Sequence, residues 1–384
     1  MKVNFGELRI SDTAKGHILD CLATNQVSCG PKVALFEEKW KKLFHHPYTV
    51  AVNSGTSADI AACLALYEYG AKPGDFIICP ALSFIATANA IRAAGFTPLF
   101  VDVKKETLNI DESLLNHRIS DIQYQNHDKR IVAIMTVNLM GKPSRLDIIA
   151  DIAHKYNLKV IVDNCEAYGS KFQNQYALHY ADFETTSHYI AHIVCGCELG
   201  TVSCKTEKDR DLILSVRSHG RQPNSLYFNH QRYGLNLKPS DLHASIALGE
   251  VDDFKKIFWK RKENLQAFYD AAEPFKDKVY LVEEDEDAVN APHGFSITLK
   301  ESCNKLKNIA YLEGAFSKKE IASKRNFGSM PDHTAFSYLG YDKGAFPNAT
   351  YIGKWGDHIG CHYWMTDEQV EYVSESIREI LGKL

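Results

Sequence analysis

Four short stretches carry side chains whose types and spacing could do chemistry. Ser54-Gly55-Thr56-Ser57 lies between the apolar run Tyr48 to Val52 and an alanine-rich segment. A glycine there lets the backbone come close to an oxyanion, while hydroxyls and the free amides of a helix N-terminus hydrogen-bond a phosphate. Taken alone, a Ser/Thr helix cap accounts for the same residues at least as well. In Ile161-Val162-Asp163-Asn164-Cys165-Glu166 an acid ends an apolar run, the place where parallel α/β sheets present functional side chains. A carboxylate there either pairs with a protonated ring nitrogen, making the ring an electron sink, or caps the next turn. Ser187-His188-Tyr189-Ile190-Ala191-His192 precedes a Cys/Gly-rich turn and Glu198-Leu199-Gly200. The imidazole of His192 moves protons near neutral pH but has no primary amine, so it forms no imine with an aldehyde. Without context His192 is an ordinary loop histidine, and His188 is its neighbour rather than a catalyst. Cys195, Cys197 and Cys204, with Cys165 as a fourth, offer thiolates to a metal. Small buried residues packing a tight turn explain them more economically, and no metal is expected.

The elements that must position these residues alternate through the first two-thirds of the chain. Pro31 to Leu43 has helical periodicity, with Val33, Phe36, Trp40 and Leu43 on one face, followed by the strand-like Tyr48 to Val52 and a helix from Ser57. Further strand-like runs stand at Phe76 to Cys79, Pro98 to Val103, Ile131 to Val137 and Val160 to Val162. Such alternation with continuous apolar strands predicts a mainly parallel sheet covered by helices on both faces. From about Val251 the pattern changes to a charged helix (Lys255 to Ala272), a strand at Gly294 to Leu299 and an amphipathic helix Thr366 to Leu381. The reading is therefore a large α/β domain over residues 1–250 and a smaller α+β domain over residues 251–384.

Composition narrows the class. The chain has 384 residues, 45% hydrophobic and 24% charged, as a globular protein with a substantial core would. Lys+Arg of 44 against Asp+Glu of 48 gives a formal charge of -4, which argues against nucleic acid as a partner. No signal-like leader or membrane-length apolar run is evident, and ten cysteines without a secretory signal read as reduced thiols, so a cytoplasmic location is expected.

The motifs also occur in a telling order. Ser28-Cys29-Gly30-Pro31-Lys32-Val33 with Phe36-Glu37, then Val52-Asn53-Ser54-Gly55-Thr56, Leu82 to Ile91, Asp163-Asn164-Cys165-Glu166, Arg217-Ser218-His219-Gly220-Arg221 and Gly234 to Asp241 resemble successive blocks of the DegT/DnrJ/EryC/StrS sugar aminotransferase family. The resemblance runs from about residue 8 to 260 and more loosely through Phe346-Pro347-Asn348-Ala349. It implies a fold type I pyridoxal-phosphate enzyme. In that family a lysine five residues after the serine links covalently to the cofactor; here the position is His192. The exchange is similar to that of the pyridoxamine-phosphate-dependent 3-dehydratases acting on nucleotide-linked 4-keto-6-deoxyhexoses. One branch also binds an iron–sulfur cluster through cysteines after the Gly-Arg pair, but Gln222 to Tyr233 contains none. The other branch, which includes GDP-4-keto-6-deoxymannose 3-dehydratases, needs no cluster and shares the Asp-Asn-Cys-Glu run.

The resemblance implies roles residue by residue. Asp163 would hold the pyridinium proton, Phe84 would stack on the ring and Glu166 would approach its hydroxyl. Gly55, Thr56 and Ser187 would bind the phosphate, joined by Asn236 from a second subunit of a homodimer. His219 and Arg221 fall in a block near the pocket, as candidate substrate contacts. Two departures stand out: Cys195 to Gly200, where relatives have a Gly-Gly pair after the acid, and the short stretch Lys318 to His333, which leaves sugar contacts unassigned. The implied reaction is deoxygenation at C3 in deoxysugar or surface-polysaccharide synthesis. His192 would remove a proton from the bound cofactor and, as imidazolium, protonate the departing hydroxyl. Hydrolysis would release the 3-deoxy-4-keto sugar and ammonia, and an amino donor, expected to be glutamate, would restore pyridoxamine phosphate. A nucleotide-sugar 4-aminotransferase and a non-catalytic binding protein of the same fold stay open as alternatives.

Overall fold

The computed structural model describes residues 1–124, 129–222 and 229–384. The cysteine-free stretch Gln222 to Tyr233 thus lies in part outside the described residues. The helices in chain order are α1 (Asp12–Ala23), α2 (Pro31–Phe44), α3 (Gly55–Ala65), α4 (Ala86–Ala93), α5 (Leu115–Tyr124), α6 (Leu146–Lys155), α7 (Glu207–Arg217), α8 (Asp241–Val251), α9 (Phe254–Ala272), α10 (Leu306–Lys318), α11 (Pro347–Trp355) and α12 (Asp367–Gly382). The strands are β1 (Tyr48–Val52), β2 (Phe76–Pro80), β3 (Thr97–Val101), β4 (Ile131–Val137), β5 (Lys159–Asp163), β6 (Lys171–Phe172), β7 (Phe183–Ser187), β8 (Gly200–Cys204), β9 (Val279–Leu281), β10 (Ala288–Val289), β11 (Gly294–Leu299), β12 (Ser323–Arg325) and β13 (Gly356–Gly360).

Seven strands form the main sheet in the order β1-β8-β7-β5-β4-β2-β3, and β8 alone runs against its neighbours. The fold is α/β with a mainly parallel sheet, as expected. Its central strands are apolar on both faces because helices cover both. On one side α3, α4 and α7 pack with Ala58, Ala61, Ala62, Ile91 and Ile213 buried. On the other, one cluster holds α2 and α8 (Phe36, Trp40, Leu248) and another holds α6 (Ile149, Ile152). Two strands of this sheet escaped the reading of apolar runs. β7 (Phe-Glu-Thr-Thr-Ser) and β8 (Gly-Thr-Val-Ser-Cys) are rich in polar residues, yet buried; Thr186 Oγ1 and Thr201 Oγ1 satisfy each other across the pair at 2.6 Å.

A second, antiparallel sheet of order β12-β13-β11-β9 carries α9, α10 and α12 on a core around Phe268, Phe295, Leu312 and Ile377. Helix α9 belongs to both cores: Phe254, Ile257 and Phe258 pack under the main sheet, whereas Leu265, Phe268 and Ala271 pack under the second. The layers are laced together elsewhere too. Val3 bridges to Ile321, and β10 pairs with β6, so the two sheets do not divide cleanly along the chain. At Gly141 (φ +85°) a Cβ would come within 1.9 Å of the Ala291 carbonyl oxygen, and the Ala291 amide donates to the Gly141 carbonyl at 2.8 Å. Only glycine permits that approach, and it draws the segment leading into β11 against the loop after β4. No helix of the described residues is long and apolar enough to cross a membrane.

Candidate active site

The parallel strands of the main sheet end together, and a cavity of about 300 Å³ opens where the second sheet faces them. Gly55, Thr56, Phe84, Asp163, Glu166, Ser187 and His192 all line it. Asp163 is the last residue of β5 and is buried. Its carboxylate accepts from Thr87 Oγ1 at 2.8 Å and from the Cys165 amide at 3.2 Å. Beside it stands Asp59, one turn into α3, which accepts from Thr185 Oγ1 at 2.6 Å. The nearest ligand atoms of Asp59, Asp163 and Cys165 lie within 4.8 Å of one another. No cationic side chain of the described residues pairs with either acid. Burial raises the pKa of both, Asp59 the more strongly, while the bonds from Thr87 and Cys165 favour the Asp163 anion. Of the two, Asp59 therefore holds its proton the more tightly, and Asp163 is the one more readily ionised. What such a carboxylate lacks is a cation, and a protonated pyridine nitrogen supplies one.

Helix α3 begins at Gly55, capped by Ser54, whose hydroxyl accepts from the Ser57 amide at 3.1 Å. A Cβ on Gly55 would lie 2.6 Å from Ser187 Cβ and 2.9 Å from Cys165 Sγ, so glycine is what lets the helix N-terminus seat beside Ser187. Free amides, Thr56 and Ser187 stand on one side of the cavity, donors of the kind that bind a phosphate. These features fit pyridoxal or pyridoxamine phosphate: an anion site at the helix terminus, an unpaired carboxylate on the floor and the exposed ring of Phe84 on the wall.

His192 sits in the loop between β7 and β8, half-buried. Its Nδ1 is sealed from solvent and has no hydrogen-bond partner among the described residues. Burial, then the neighbouring His188 and Arg261, push its pKa down to about 3. The ring is neutral at physiological pH, so the imidazolium expected from the sequence is not its resting form. Five further cavity residues were not legible in the sequence as site residues: Asp59, His293, Lys324, Phe327 and His358. His293 lies edge-on to His192 at a centroid distance of 5.3 Å, with its Nε2 3.6 Å from Glu166 Oε1. The other Glu166 oxygen accepts from the Met140 amide at 2.8 Å, and burial pushes this carboxyl up to about 7. Lys324, from β12, is the one lysine on the wall among the described residues, with its Nζ 4.5 Å from the Phe5 ring centroid.

Three of the residues singled out in the sequence are not on the cavity wall of this chain. Asn236 and His219 are exposed, and the backbones of Ser218 and Asn236 pair with each other rather than with the cavity loops. Arg221 likewise does not line the cavity. The cysteines also separate: Cys195 Sγ donates to the Ile190 carbonyl at 3.2 Å, Cys204 Sγ to the Thr206 carbonyl at 3.7 Å, and Cys165 stands with the two aspartates.

A family model described as the DegT/DnrJ/EryC1/StrS aminotransferase family matches residues 9–378. The chain is 26% identical over 383 residues to the GDP-4-keto-6-deoxy-D-mannose 3-dehydratase of Escherichia coli O55:H7, covering 94% of this chain and 95% of that one. It is 30% identical over 369 residues to the GDP-perosamine synthase of Escherichia coli O157:H7, covering 95% and 94%. The solved PMP form of a putative sugar aminotransferase from Streptococcus pneumoniae superposes with a TM-score of 0.90 at 21% identity, over 100% of this chain and 98% of that one. The fold is thus that of the fold type I pyridoxal-phosphate enzymes.

His188 gives the loop a measurable pH signature. It is fully buried among Trp40, Phe36 and Tyr168, its Nδ1 lies 3.3 Å from the Val194 carbonyl oxygen, and burial lowers its pKa to about 3. The unfolded chain binds its proton near pH ~6.5, so the stability tied to His188 is present above that value and is lost as pH falls toward about 3. Between pH 7 and 5.5, the unfolding free energy of the wild type should drop by about 1 kcal/mol relative to His188→Gln, measured by urea titration. Parallel pH curves for the two proteins would show that His188 is protonated in the fold.

Proposed function

The chain belongs to the DegT/DnrJ/EryC1/StrS aminotransferase family, and on that premise we propose that it is a pyridoxamine-phosphate-dependent 3-dehydratase of a nucleotide-linked 4-keto-6-deoxyhexose, acting in deoxysugar or surface-polysaccharide synthesis. The family depends on pyridoxal phosphate. The observation that carries the finer reading is His192, a neutral imidazole on the cavity wall where the resemblance puts a cofactor-linked lysine. The 3-dehydratase relative supports the same reading.

When bound, the cofactor supplies an electron sink that makes loss of a C3 hydroxyl feasible. Asp163 holds the ring's pyridinium proton from the cavity floor, and Gly55, Thr56 and Ser187 hold its phosphate. Phe84 covers a face of the ring. Glu166, tied to the Met140 amide and facing His293, stands toward the ring hydroxyl. His192 takes a proton at Nε2, because Nδ1 is sealed from the cavity. The imidazolium so formed delivers that proton to the departing hydroxyl, which converts a poor leaving group into water. An amino donor, which we take to be glutamate, then restores the amine form of the cofactor.

The reading expects a single turnover of the pyridoxamine-phosphate enzyme in deuterated water to give a sugar that has lost the C3 oxygen, gained deuterium at C3 and kept no nitrogen at C4. His192→Asn should abolish this while retaining cofactor, followed by mass spectrometry and absorbance, and glutamate should support repeated turnover. A 4-amino sugar as the main product, or undiminished dehydration by His192→Asn, would overturn the assignment.

One observation favours amination instead: Lys324 places a primary amine on the cavity wall, and the GDP-perosamine synthase relative agrees with that alternative. Borohydride treatment of the enzyme mixed with pyridoxal phosphate separates the two. The dehydratase reading expects no phosphopyridoxyl group on Lys324, and a reduced adduct there would favour the aminotransferase.

We also propose a homodimer with shared sites. Phe84 and Tyr189 are 57% and 50% exposed at the cavity wall, and Asn236 is exposed outside it, as residues awaiting a second subunit would be. Mixing Asp163→Ala with Asn236→Ala under subunit exchange should recover activity, since one site of each heterodimer then carries neither defect. Demonstrated exchange without recovery would place Asn236 outside the partner's site.

A further inference from the structure

Arg261, in the middle of α9, is 3% exposed and forms no ion pair among the described residues. Long cationic side chains are almost never buried without a partner, so its hydrogen bonds are informative. Nε donates to the Pro292 carbonyl at 2.9 Å, one terminal nitrogen to the His192 carbonyl at 3.1 Å, and the other to the carbonyls of Ala191 at 3.3 Å and His293 at 2.9 Å. Two acceptors belong to the loop between β7 and β8 and two to the segment leading into β11. One planar guanidinium therefore spans two chain segments that come from different sheets, and each segment carries one of the facing imidazoles.

We infer that Arg261 is a positioning residue for the reaction, a clamp that fixes the rings of His192 and His293 at their edge-on separation by holding the main chain behind both. Rigid donor geometry is what the task requires. The guanidinium fork presents its donors in one plane along fixed directions, whereas the ammonium of lysine is a point donor that serves one segment at a time. The remainder of the His192 loop is pinned independently. Val194 exchanges hydrogen bonds with Tyr168 Oη, its amide donating at 2.7 Å and its carbonyl accepting at 3.2 Å. The Cys195 amide donates to Glu250 at 2.8 Å. Among the described residues, the other hydrogen bonds of residues 191 and 192 come from within the loop itself: the His192 amide donates to the Tyr189 carbonyl at 2.8 Å, and Cys195 Sγ donates to the His192 carbonyl at 3.6 Å. Loss of the clamp thus frees the catalytic ring while the loop's far end stays in place.

The inference rests on His192 as the proton-moving residue, and its test separates the two. In cofactor-free protein, Arg261→Lys should speed hydrogen exchange of the amides of residues 190–193 by at least about tenfold, with those of β4 and β5 unchanged. This readout does not depend on which reaction the enzyme performs. In the loaded enzyme the same variant should retain cofactor, lose about a hundredfold in kcat and keep KM for the keto sugar within about twofold, since a misplaced catalytic group costs chemistry rather than binding. Wild-type exchange rates in Arg261→Lys, or a raised KM with unchanged kcat, would overturn the clamp. Faster exchange with full kcat would overturn its catalytic relevance and with it the proposal. Should the variant not fold, exchange in the wild type decides: amides of residues 190–193 protected well beyond the exposed turn at residues 283–287 are expected, and equal exchange would refute the inference.

Discussion

A buried carboxylate that no cationic side chain among the described residues neutralises sets the terms for the rest of this site. Asp163 ends a strand covered on both faces, and its charge is supported by one hydroxyl and one amide rather than by a cation. Holding it there has a cost in desolvation, and the fold meets that cost locally. Asp59 stands close by with its pKa raised the more strongly, so of the pair it is the one that holds a proton more tightly. Helix α3, which supplies Asp59, also supplies the free amides at Gly55 one turn earlier. The floor and the anion cradle of the cavity are therefore one rigid unit, fixed by the packing of α3 against β7 and β8.

The same dryness governs the imidazoles. Desolvation is the leading cause of the low pKa of His188, His192, His293 and His358 alike, so four histidines in or behind the cavity are neutral where free imidazole would be half-charged. Their environments then differ. His188 is caged by aromatic rings and serves the core. His192 keeps an edge on the cavity, and His293 faces a carboxyl whose own pKa burial has lifted to about 7. Burial keeps His192 neutral, with a free lone pair, and would make its imidazolium a strong acid if one formed.

The cavity exists because two sheets meet over it. The main sheet contributes the cofactor side, and the second sheet contributes His293, Lys324, Phe327 and His358. Helix α9 runs through both cores, and the Gly141–Ala291 contact closes the gap near Glu166. Relatives named as a dehydratase and as a perosamine synthase match this chain over nearly its whole length, and on the proposed reading the two chemistries differ in which side chain, imidazole or amine, stands at the cavity wall.

The sequence by itself determined the layered α/β fold, since continuous apolar runs at β2, β4 and β5 alternate with amphipathic helices, and local periodicity is a direct record of which faces are buried. It also singled out Gly55, Asp163 and Ser187, at strand or helix ends, which line one cavity. β7 and β8 were illegible: their buried residues are threonine, serine and glutamate, satisfied by partners that only the paired strands provide. For the same reason His293, Lys324 and His358 carried no signal, each being an isolated polar residue in a segment whose neighbours point elsewhere. Whether Asn236, His219 and Arg221 meet a site is decided beyond one chain's cavity wall. Only the tertiary structure placed Asp59 against Asp163 and His293 against His192, because burial, which fixes their protonation, is a property of what surrounds a side chain and not of what precedes it.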